Sequence, residues 1–248
     1  MSRHDVIVPA ETSVLCEGCG YTLDGLPSTG RCPECGTDIS VSLGADGRKL
    51  PAWEDPESDG GTLRRFWATT AEVVFHPRRF YRTLATRRQD QAAWRFAQAH
   101  WAISAVLLAG ALSIHVRWTE RFLLAPRFPG GPWTLFALAA PTTYALIWGT
   151  TRLAARLTAW EAAYRGIRLP LAAVLRGLYY HAAHYLPVGL VAFLSVAGNW
   201  LLVQWKPLVF QGEATRYLFI LSAEVLLAAG YLFKTYWTGM KNTMYANR

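Results

Sequence analysis

The cysteines carry the clearest chemical signal in this chain. All four lie within the first 35 residues, as the pairs Cys16/Cys19 and Cys32/Cys35, and the rest of the chain contains none. Two residues between the members of a pair allow one tight turn to direct both sulfurs at the same ion. Four thiolates complete a tetrahedral coordination sphere, so the spacing predicts one structural Zn²⁺ ion held by all four cysteines.

The residues around the two pairs predict how they are held. Gly20 and Gly36 directly follow the second cysteine of each pair, where a positive φ lets a backbone N–H approach a sulfur. Tyr21 and Leu23 then alternate with polar residues before a Pro- and Gly-containing turn. This pattern is typical of a short β-hairpin, and we therefore expect a zinc-ribbon module over residues 14–39.

The module resembles the short zinc ribbons of bacterial membrane proteins, in which Cys-x-x-Cys-Gly-Tyr-x-Leu is followed by Cys-Pro-x-Cys-Gly. Here the pattern runs from Cys16 to Leu23 and from Cys32 to Gly36. The resemblance implies metal binding and says little about a biological role. Two alternatives stay open. A rubredoxin-like iron site uses similar turns and would indicate electron transfer. Buried free thiols are disfavoured, because a segment of about 25 residues has too little core to fold without a staple.

The composition divides the chain into a polar and an apolar part. Hydrophobic residues make up 52% and charged residues 17%, which is high and low respectively for a soluble domain. Residues 1–20 lack an apolar stretch of signal-peptide length, so we expect the N-terminus to stay in the compartment where it is made. The predicted organisation is an N-terminal tail (1–13), the zinc ribbon (14–39), a flexible linker (40–61), an amphipathic interfacial segment (62–95) and a transmembrane helical domain (96–248).

The net charge of +8 does not indicate a nucleic-acid partner, because the basic residues are in the wrong place. The cysteine segment carries Arg31 against several acidic residues. The basic residues instead cluster within 64–95 and 152–176, beside the apolar blocks. Such clusters are typical of cytoplasmic segments that flank membrane helices.

The segment from residue 62 has helical periodicity, and Pro77 interrupts it. Apolar residues such as Phe66 and Val73 recur at helical spacing, and arginines supply the charged side. Since proline breaks a helix, we predict two short helices with a joint near His76 and Pro77. The pattern favours helices that lie on the bilayer surface, and the alternative is packing on the protein's own body.

Four later segments are long and apolar enough to cross a bilayer, at about 96–116, 133–152, 186–205 and 217–237. A fifth candidate, 169–185, contains Arg176 and two histidines, so we expect it to be interfacial or partly buried. The predicted fold class is therefore an all-α integral membrane bundle of four or five spans with a small N-terminal zinc-ribbon module. With four spans, sixteen Lys and Arg residues lie on one side and five on the other. This bias predicts that both termini and the module are cytoplasmic.

A second resemblance covers roughly residues 62–240. The stretch 75–84, Phe-His-Pro-Arg-Arg-Phe-Tyr-Arg-Thr-Leu, precedes an apolar body with short loops and is similar to the Yip1-type membrane family. That family places an amphipathic segment near a Pro-Arg-x-Phe element before about five membrane helices. The resemblance implies a membrane scaffold or trafficking-type protein rather than an enzyme.

Polar residues inside the apolar blocks are candidates for function, because ionisable groups are costly in the bilayer. Glu224 lies in the middle of a predicted span. It could be a proton or cation site, or it could pair with a basic or polar neighbour for structural reasons, and we favour the pairing. His181 and His184 can share a helix face but lack a further ligand for a metal. The remaining candidates are His100 and His115 near the ends of the first span, and Asn199 and Gln204 as interhelical hydrogen-bond partners.

The sequence favours a non-enzymatic function. It contains no Walker-type loop, dinucleotide fingerprint, nucleophile elbow or His-Glu-x-x-His element. We expect a membrane scaffold whose ribbon binds a cytosolic protein through Tyr21, Leu23 and Leu26, although these residues could equally form the ribbon's core. The lipid bilayer and a second copy of the chain are the other expected partners. The alternative is a transporter or channel regulated by the ribbon, with Glu224 in its pathway.

Overall fold

The described part of the protein is mostly helical. A computed structural model describes residues 13–43, 48–86, 91–122, 127–205 and 210–247. The predicted N-terminal tail, apart from Ser13, lies outside these residues, as do Arg87 and Arg88 of the amphipathic segment. The helices, with a 3₁₀ turn at Ala182–His184 between α6 and α7, are α1 (Ile39–Leu43), α2 (Thr62–Phe75), α3 (Pro77–Thr83), α4 (Gln91–Phe122), α5 (Gly131–Tyr164), α6 (Leu171–His181), α7 (Tyr185–Trp205) and α8 (Phe210–Thr243).

The chain divides into two compact units. The first unit comprises Met1–Phe96, Thr151–His181 and Thr235–Arg248, and it contains the cysteine segment. The second unit comprises Ala97–Thr150 and Ala182–Lys234. The first unit therefore gathers residues from both ends of the sequence, which local patterns in the sequence do not indicate.

The predicted joint in the amphipathic segment lies at His76. This residue leaves the helical region, with φ −128° and ψ 49°, and it separates α2 from α3. Pro77 occupies the first turn of α3, where its missing N–H costs no helical hydrogen bond. Proline also disfavours helical backbone at the residue before it, which accounts for the position of the break.

One face of α2 packs on the protein's own body. Phe66 and Val73 are buried, and the Phe66 ring lies 5.7 Å from Trp53 and 5.2 Å from Phe96 between centroids. Packing of this helix on the protein's own body was the alternative to a position on the bilayer surface. A second set of apolar residues on α2 stays exposed, so contact of this helix with a bilayer remains a prediction; these residues are Leu63, Trp67 and Phe75.

The flexible linker predicted over 40–61 is described at residues 40–43 and 48–61. Residues 40–43 belong to α1, and residues 48–61 belong to the first unit. The Trp53 indole donates to the carbonyl of Ala92 over 2.7 Å. Glu54 forms a buried ion pair with Arg176 of α6. The polar, Gly- and Pro-rich composition indicated disorder, but one aromatic ring and one carboxylate with distant partners hold this segment in place.

Three helical stretches are long and apolar enough to cross a membrane. They are Gln91–Arg121, Leu171–Gln204 and Ala214–Thr243, and they contain nearly all of the predicted spans 96–116, 186–205 and 217–237. These stretches indicate a membrane protein.

The remaining predicted span, 133–152, and the fifth candidate, 169–185, do not each correspond to one of these three stretches. The segment 133–152 does form part of the 34-residue helix α5, but α5 is not one of the three stretches that are long and apolar enough to cross a membrane. Pro141 and the two threonines after it lower its hydropathy. Most of the segment 169–185 lies in the first half of the stretch Leu171–Gln204.

Candidate metal centre

The cysteine module is built from two equivalent turns, sixteen residues apart in sequence. In the first turn the N–H of Cys16 donates to Tyr21 and the N–H of Gly20 donates to Cys16, both over 2.8 Å. The second turn repeats both bonds, from Cys32 to Thr37 over 2.8 Å and from Gly36 to Cys32 over 2.9 Å. The repetition shows that each Cys-x-x-Cys-Gly run determines its own turn.

The two glycines support these turns in the same way. Gly20 has φ +84° and Gly36 has φ +71°, a left-handed conformation that an L side chain strains. Each turn is closed by one isolated antiparallel bridge, Leu15 with Thr22 and Arg31 with Asp38. No sheet occurs among the described residues, so the β-hairpin expected between the pairs is not shown. The alternating residues Tyr21 and Leu23 instead form backbone hydrogen bonds with Cys16 and Val14 across the first turn.

The four sulfurs converge on one point. All lie within 4.8 Å of one another, with Sγ–Sγ distances of 3.5 Å from Cys16 to Cys35 and 3.6 Å from Cys19 to Cys32. A tetrahedral ion with metal–sulfur bonds of about 2.3 Å separates its ligands by roughly 3.8 Å. The cluster could therefore hold a metal ion, and within the described ranges it is the one group of three or more potential ligands close enough to do so.

The cysteines differ in their surroundings and hence in acidity. Burial is the main cause that raises the pKa of the Cys16 thiol, and it raises that of Cys19 to about 12. The hydroxyl of Thr37, 3.2 Å from the Cys35 sulfur, and the Thr37 N–H stabilise the thiolate and lower the pKa of Cys35 to about 6. An incoming ion thus meets a thiolate at Cys35 at neutral pH and displaces the protons of Cys16 and Cys19.

The core of the module is small and consists of Cys16, Leu23, Cys32 and Ile39, all almost fully buried. The three residues that we predicted to bind a partner differ in exposure. Leu23 belongs to this core, whereas Tyr21 and Leu26 are 40% and 37% exposed. Of these three residues, Tyr21 and Leu26 are therefore available to another molecule.

Arg48 connects the module to two helices of the first unit. Its guanidinium lies against the Glu17 carboxylate, with Nε 3.0 Å from Oε1 and Nη2 3.2 Å from Oε2. The same guanidinium donates to the carbonyls of Leu84, after α3, and Asn242, in α8, over 2.9 and 3.3 Å. The Arg48 side chain is only 4% exposed. No sequence pattern indicates this role, because an isolated arginine in a polar segment has no periodicity.

The last described residues of the chain also hold the module. The Asn247 side chain accepts from the N–H of Leu15 over 2.8 Å and donates to its carbonyl over 2.7 Å. The Asn247 backbone N–H donates to Glu17 over 3.2 Å. The Tyr245 ring covers Gly20 so closely that an added Cβ would lie 2.5 Å from it. These contacts join residues more than 200 positions apart, which explains why sequence patterns did not reveal them.

The intramembrane candidates of the second unit form separate pairs. The Ser195 hydroxyl donates to Glu224 over 2.5 Å, in line with the structural pairing favoured for this carboxylate. His115 and His184 bond to tyrosine hydroxyls, over 2.9 Å to Tyr217 and 2.7 Å to Tyr231. Of the other candidates in this unit, His100 is buried and Gln204 accepts from Arg121 over 3.3 Å, while the Asn199 side-chain nitrogen has no partner among the described residues.

His181 belongs to the first unit and bonds to Thr235, with 3.0 Å between Nε2 and Oγ1. His181 and His184 therefore each have a hydroxyl partner of their own. No metal-ligand group in the described part of the chain includes either of them.

Comparison with protein-family models, with curated proteins and with solved structures finds no match. The resemblances to zinc ribbons and to the Yip1-type family therefore remain hypotheses from short motifs. The geometry of the chain itself carries the functional argument.

Proposed function

We propose that this protein is a non-enzymatic membrane scaffold whose cysteine module holds one structural Zn²⁺ ion and presents a surface to a cytosolic protein. The observation that carries this proposal is the cluster of four sulfurs, spaced for one tetrahedral ion, on a module with four core residues. Four protein ligands leave no open position for substrate, which favours a structural ion. A core of this size needs a staple, and the ion supplies it.

Both zinc and iron accept four thiolates. We prefer zinc because of the cysteine spacing and the small size of the module. Elemental mass spectrometry of the purified protein separates them directly. Iron in the cysteine site would replace the scaffold with an electron-transfer function.

The surface offered to a partner lies on the exposed side of the module. Tyr21 and Leu26 are accessible there, and Asp24, which lies between them in sequence, is also exposed. Glu17 and Leu15 of the module are bound by Arg48 and Asn247. The module is thus fixed in orientation, and a fixed apolar anchor loses less entropy on binding than a mobile one.

Photo-crosslinking in cells tests this surface. A crosslinking residue at Tyr21 or Leu26 should capture one discrete cytosolic protein, and the adduct should disappear in the Cys16→Ser/Cys35→Ser variant. Tyr164, which is 76% exposed on α5, is the matched control position. No adduct from the module, or the same adducts from Tyr164, would contradict the proposal.

We also place α5 across the bilayer, with both termini cytoplasmic. The support is its length of 34 residues, its exposed apolar side chains and the bias of sixteen basic residues against five. Labelling of Arg127→Cys and Arg165→Cys variants with an impermeant maleimide in intact cells tests this topology. Four spans predict labelling at 127 alone, whereas labelling at 165 would show that α5 does not cross.

Transport is the second candidate function, and one observation favours it. The second carboxylate oxygen of Glu224 is buried and has no hydrogen-bond partner among the described residues. Against it, the cavity of about 370 Å³ in the second unit is lined by residues such as Gly110, Trp133 and Trp200 and not by Glu224. Proton or cation flux into proteoliposomes that Glu224→Gln abolishes would support transport. Equal flux in the variant, or none in either protein, would exclude this role for Glu224.

A further inference from the structure

We propose that the cysteine site senses metal availability and that Arg48, Asn247 and Tyr245 transmit its occupancy to the C-terminal end of α8. The ligand is a divalent ion that prefers thiolates, of which Zn²⁺ is the representative. This sensing function goes beyond the scaffold role and rests on metal binding by the four cysteines.

The contacts that hold α8 are made on the first cysteine turn itself. Glu17 lies between Cys16 and Cys19 and binds Arg48 through both carboxylate oxygens. Leu15 precedes that turn and pairs with Asn247 through both of its backbone groups. Gly20 follows it and lies under the Tyr245 ring. The positions of these three contacts therefore depend on a turn that a bound ion would hold through the sulfurs of Cys16 and Cys19.

That turn has little else to hold it closed. The module core contains four residues, two of them cysteines, and each turn adds one isolated bridge and two backbone hydrogen bonds. Small domains of this kind fold with their metal and unfold without it. Loss of the ion should therefore release Glu17, Leu15 and Gly20 from the geometry that the α8 contacts require.

The other ends of these contacts belong to helices. Arg48 donates to the carbonyl of Asn242 in α8 and to that of Leu84 directly after α3. Such carbonyls near a helix C-terminus lack a partner within the helix, and a buried guanidinium satisfies them. Metal release would return them to solvent and loosen the last turn of α8, which is continuous with a membrane-spanning stretch.

Access to the site also suits a sensor. Cys16 and Cys32 are buried, whereas Cys35 is exposed. An ion in this site is therefore reachable by a competing thiol or chelator from the side of Cys35. A closed core on all four sides would hold the ion permanently and report nothing.

Thermodynamic linkage gives the sensor a measurable signature. If metal binding strengthens the α8 contacts, breaking those contacts must weaken metal binding by the same factor. Couplings between sites are typically about 5- to 150-fold. The chain supplies a matched pair of variants for this measurement, Gly20→Ala and Gly36→Ala. Both place alanine at a positive φ after a cysteine pair, but an added Cβ meets Tyr245 only at Gly20 and nothing within 4 Å at Gly36.

The experiment uses the full chain in detergent with Zn²⁺ alone as the probe. Hydrogen exchange of peptides covering 240–247 should rise at least about tenfold when a chelator removes zinc, and return on reloading. Zinc affinity, measured against a competing indicator, should fall about tenfold in Gly20→Ala relative to Gly36→Ala, and about tenfold in Asn247→Ala relative to the native protein. Asn247→Ala leaves the cysteine turns intact, so the test does not depend on a variant that fails to fold.

The outcomes separate the sensor from the scaffold. Zinc that binds one per chain without changing exchange at 240–247, or with equal affinity in Gly20→Ala and Gly36→Ala, overturns the sensor and leaves the structural metal site in place. A chain that binds no metal overturns both proposals.

Discussion

Arg176 and Glu54, 122 residues apart in sequence, form a buried ion pair with 2.6 Å between Nη2 and Oε2. The Arg176 side chain is fully buried and that of Glu54 is 7% exposed. The Tyr180 hydroxyl donates to the other carboxylate oxygen, and Arg176 Nε donates to the carbonyl of Ala85 over 2.6 Å. A segment that the composition marks as a linker is thus bonded to α6.

Glu54→Ala should destabilise the protein by about 3–5 kcal/mol, because it leaves the Arg176 guanidinium buried without its counter-charge. Thermal or denaturant unfolding in detergent measures the change. Glu57→Ala, at an exposed carboxylate three residues away, is the control and should have little effect. Equal stability of the two variants would show that residues 48–61 do not pack as described.

Trp53→Ala should cost about 2–4 kcal/mol, because the indole packs on Phe66 and Phe96 and donates to the carbonyl of Ala92. The same unfolding assay applies. Trp160, 69% exposed on α5, offers the matched substitution, and Trp160→Ala should leave the midpoint nearly unchanged. A loss at Trp160 as large as that at Trp53 would contradict the predicted difference.

Features that depend on neighbouring residues were predictable from the sequence, whereas contacts between distant residues were not. The spacing of the cysteines predicts their convergence, and Pro77 predicts the break at His76, because each depends on neighbouring residues. Long apolar runs predicted four spans, and three of these lie in stretches that are long and apolar enough to cross a membrane. In each case a few adjacent side chains determine the geometry.

Single polar residues with distant partners were not predictable in this way. Arg48, Glu54 and Asn247 carry no periodic signal, and their partners lie up to 232 positions away. Arg176 and two histidines predicted that 169–185 is interfacial or partly buried, and most of its residues from Ala173 to His184 are buried. The sequence did not reveal the partner of Arg176, because Glu54 lies 122 residues away.

Leu23→Ala and Leu26→Ala should separate the core of the module from its surface. Leu23 is buried beside the cysteines, and its truncation should cost about 2–4 kcal/mol and weaken metal retention. Leu26 is exposed, so its truncation should leave metal content unchanged and reduce only the crosslink to a partner. Retention of zinc against a graded chelator series measures the first effect. Equal metal loss in both variants would place Leu26 in the core.

Directly after metal removal, while the cysteine turns still keep their geometry, Cys35 should be the first cysteine to be alkylated. Its lowered pKa of about 6 means that it is a thiolate at pH 7 and becomes protonated, and slow to react, only as the pH falls through that value. Cys19, with a pKa raised to about 12, stays protonated and reacts slowly throughout this range. Peptide mass spectrometry after chelation and pulsed iodoacetamide from pH 5 to 9 follows both.

Thr37→Val tests the cause of this reactivity. Loss of the hydroxyl beside the Cys35 sulfur should raise the pKa of Cys35 and move the midpoint of its alkylation profile to higher pH. Thr29→Val, in the exposed turn between the two cysteine pairs, should leave the profile in place. A midpoint that is unaffected by Thr37→Val would show that the hydroxyl does not stabilise the thiolate.

Metal content tests the central claim most directly. The full-length protein, purified in detergent, is analysed by elemental mass spectrometry beside the Cys16→Ser/Cys35→Ser variant. One zinc per chain in the native protein and none in the variant is the predicted result. Iron in the native protein, or metal that survives both substitutions, would contradict a zinc ion held by the four cysteines.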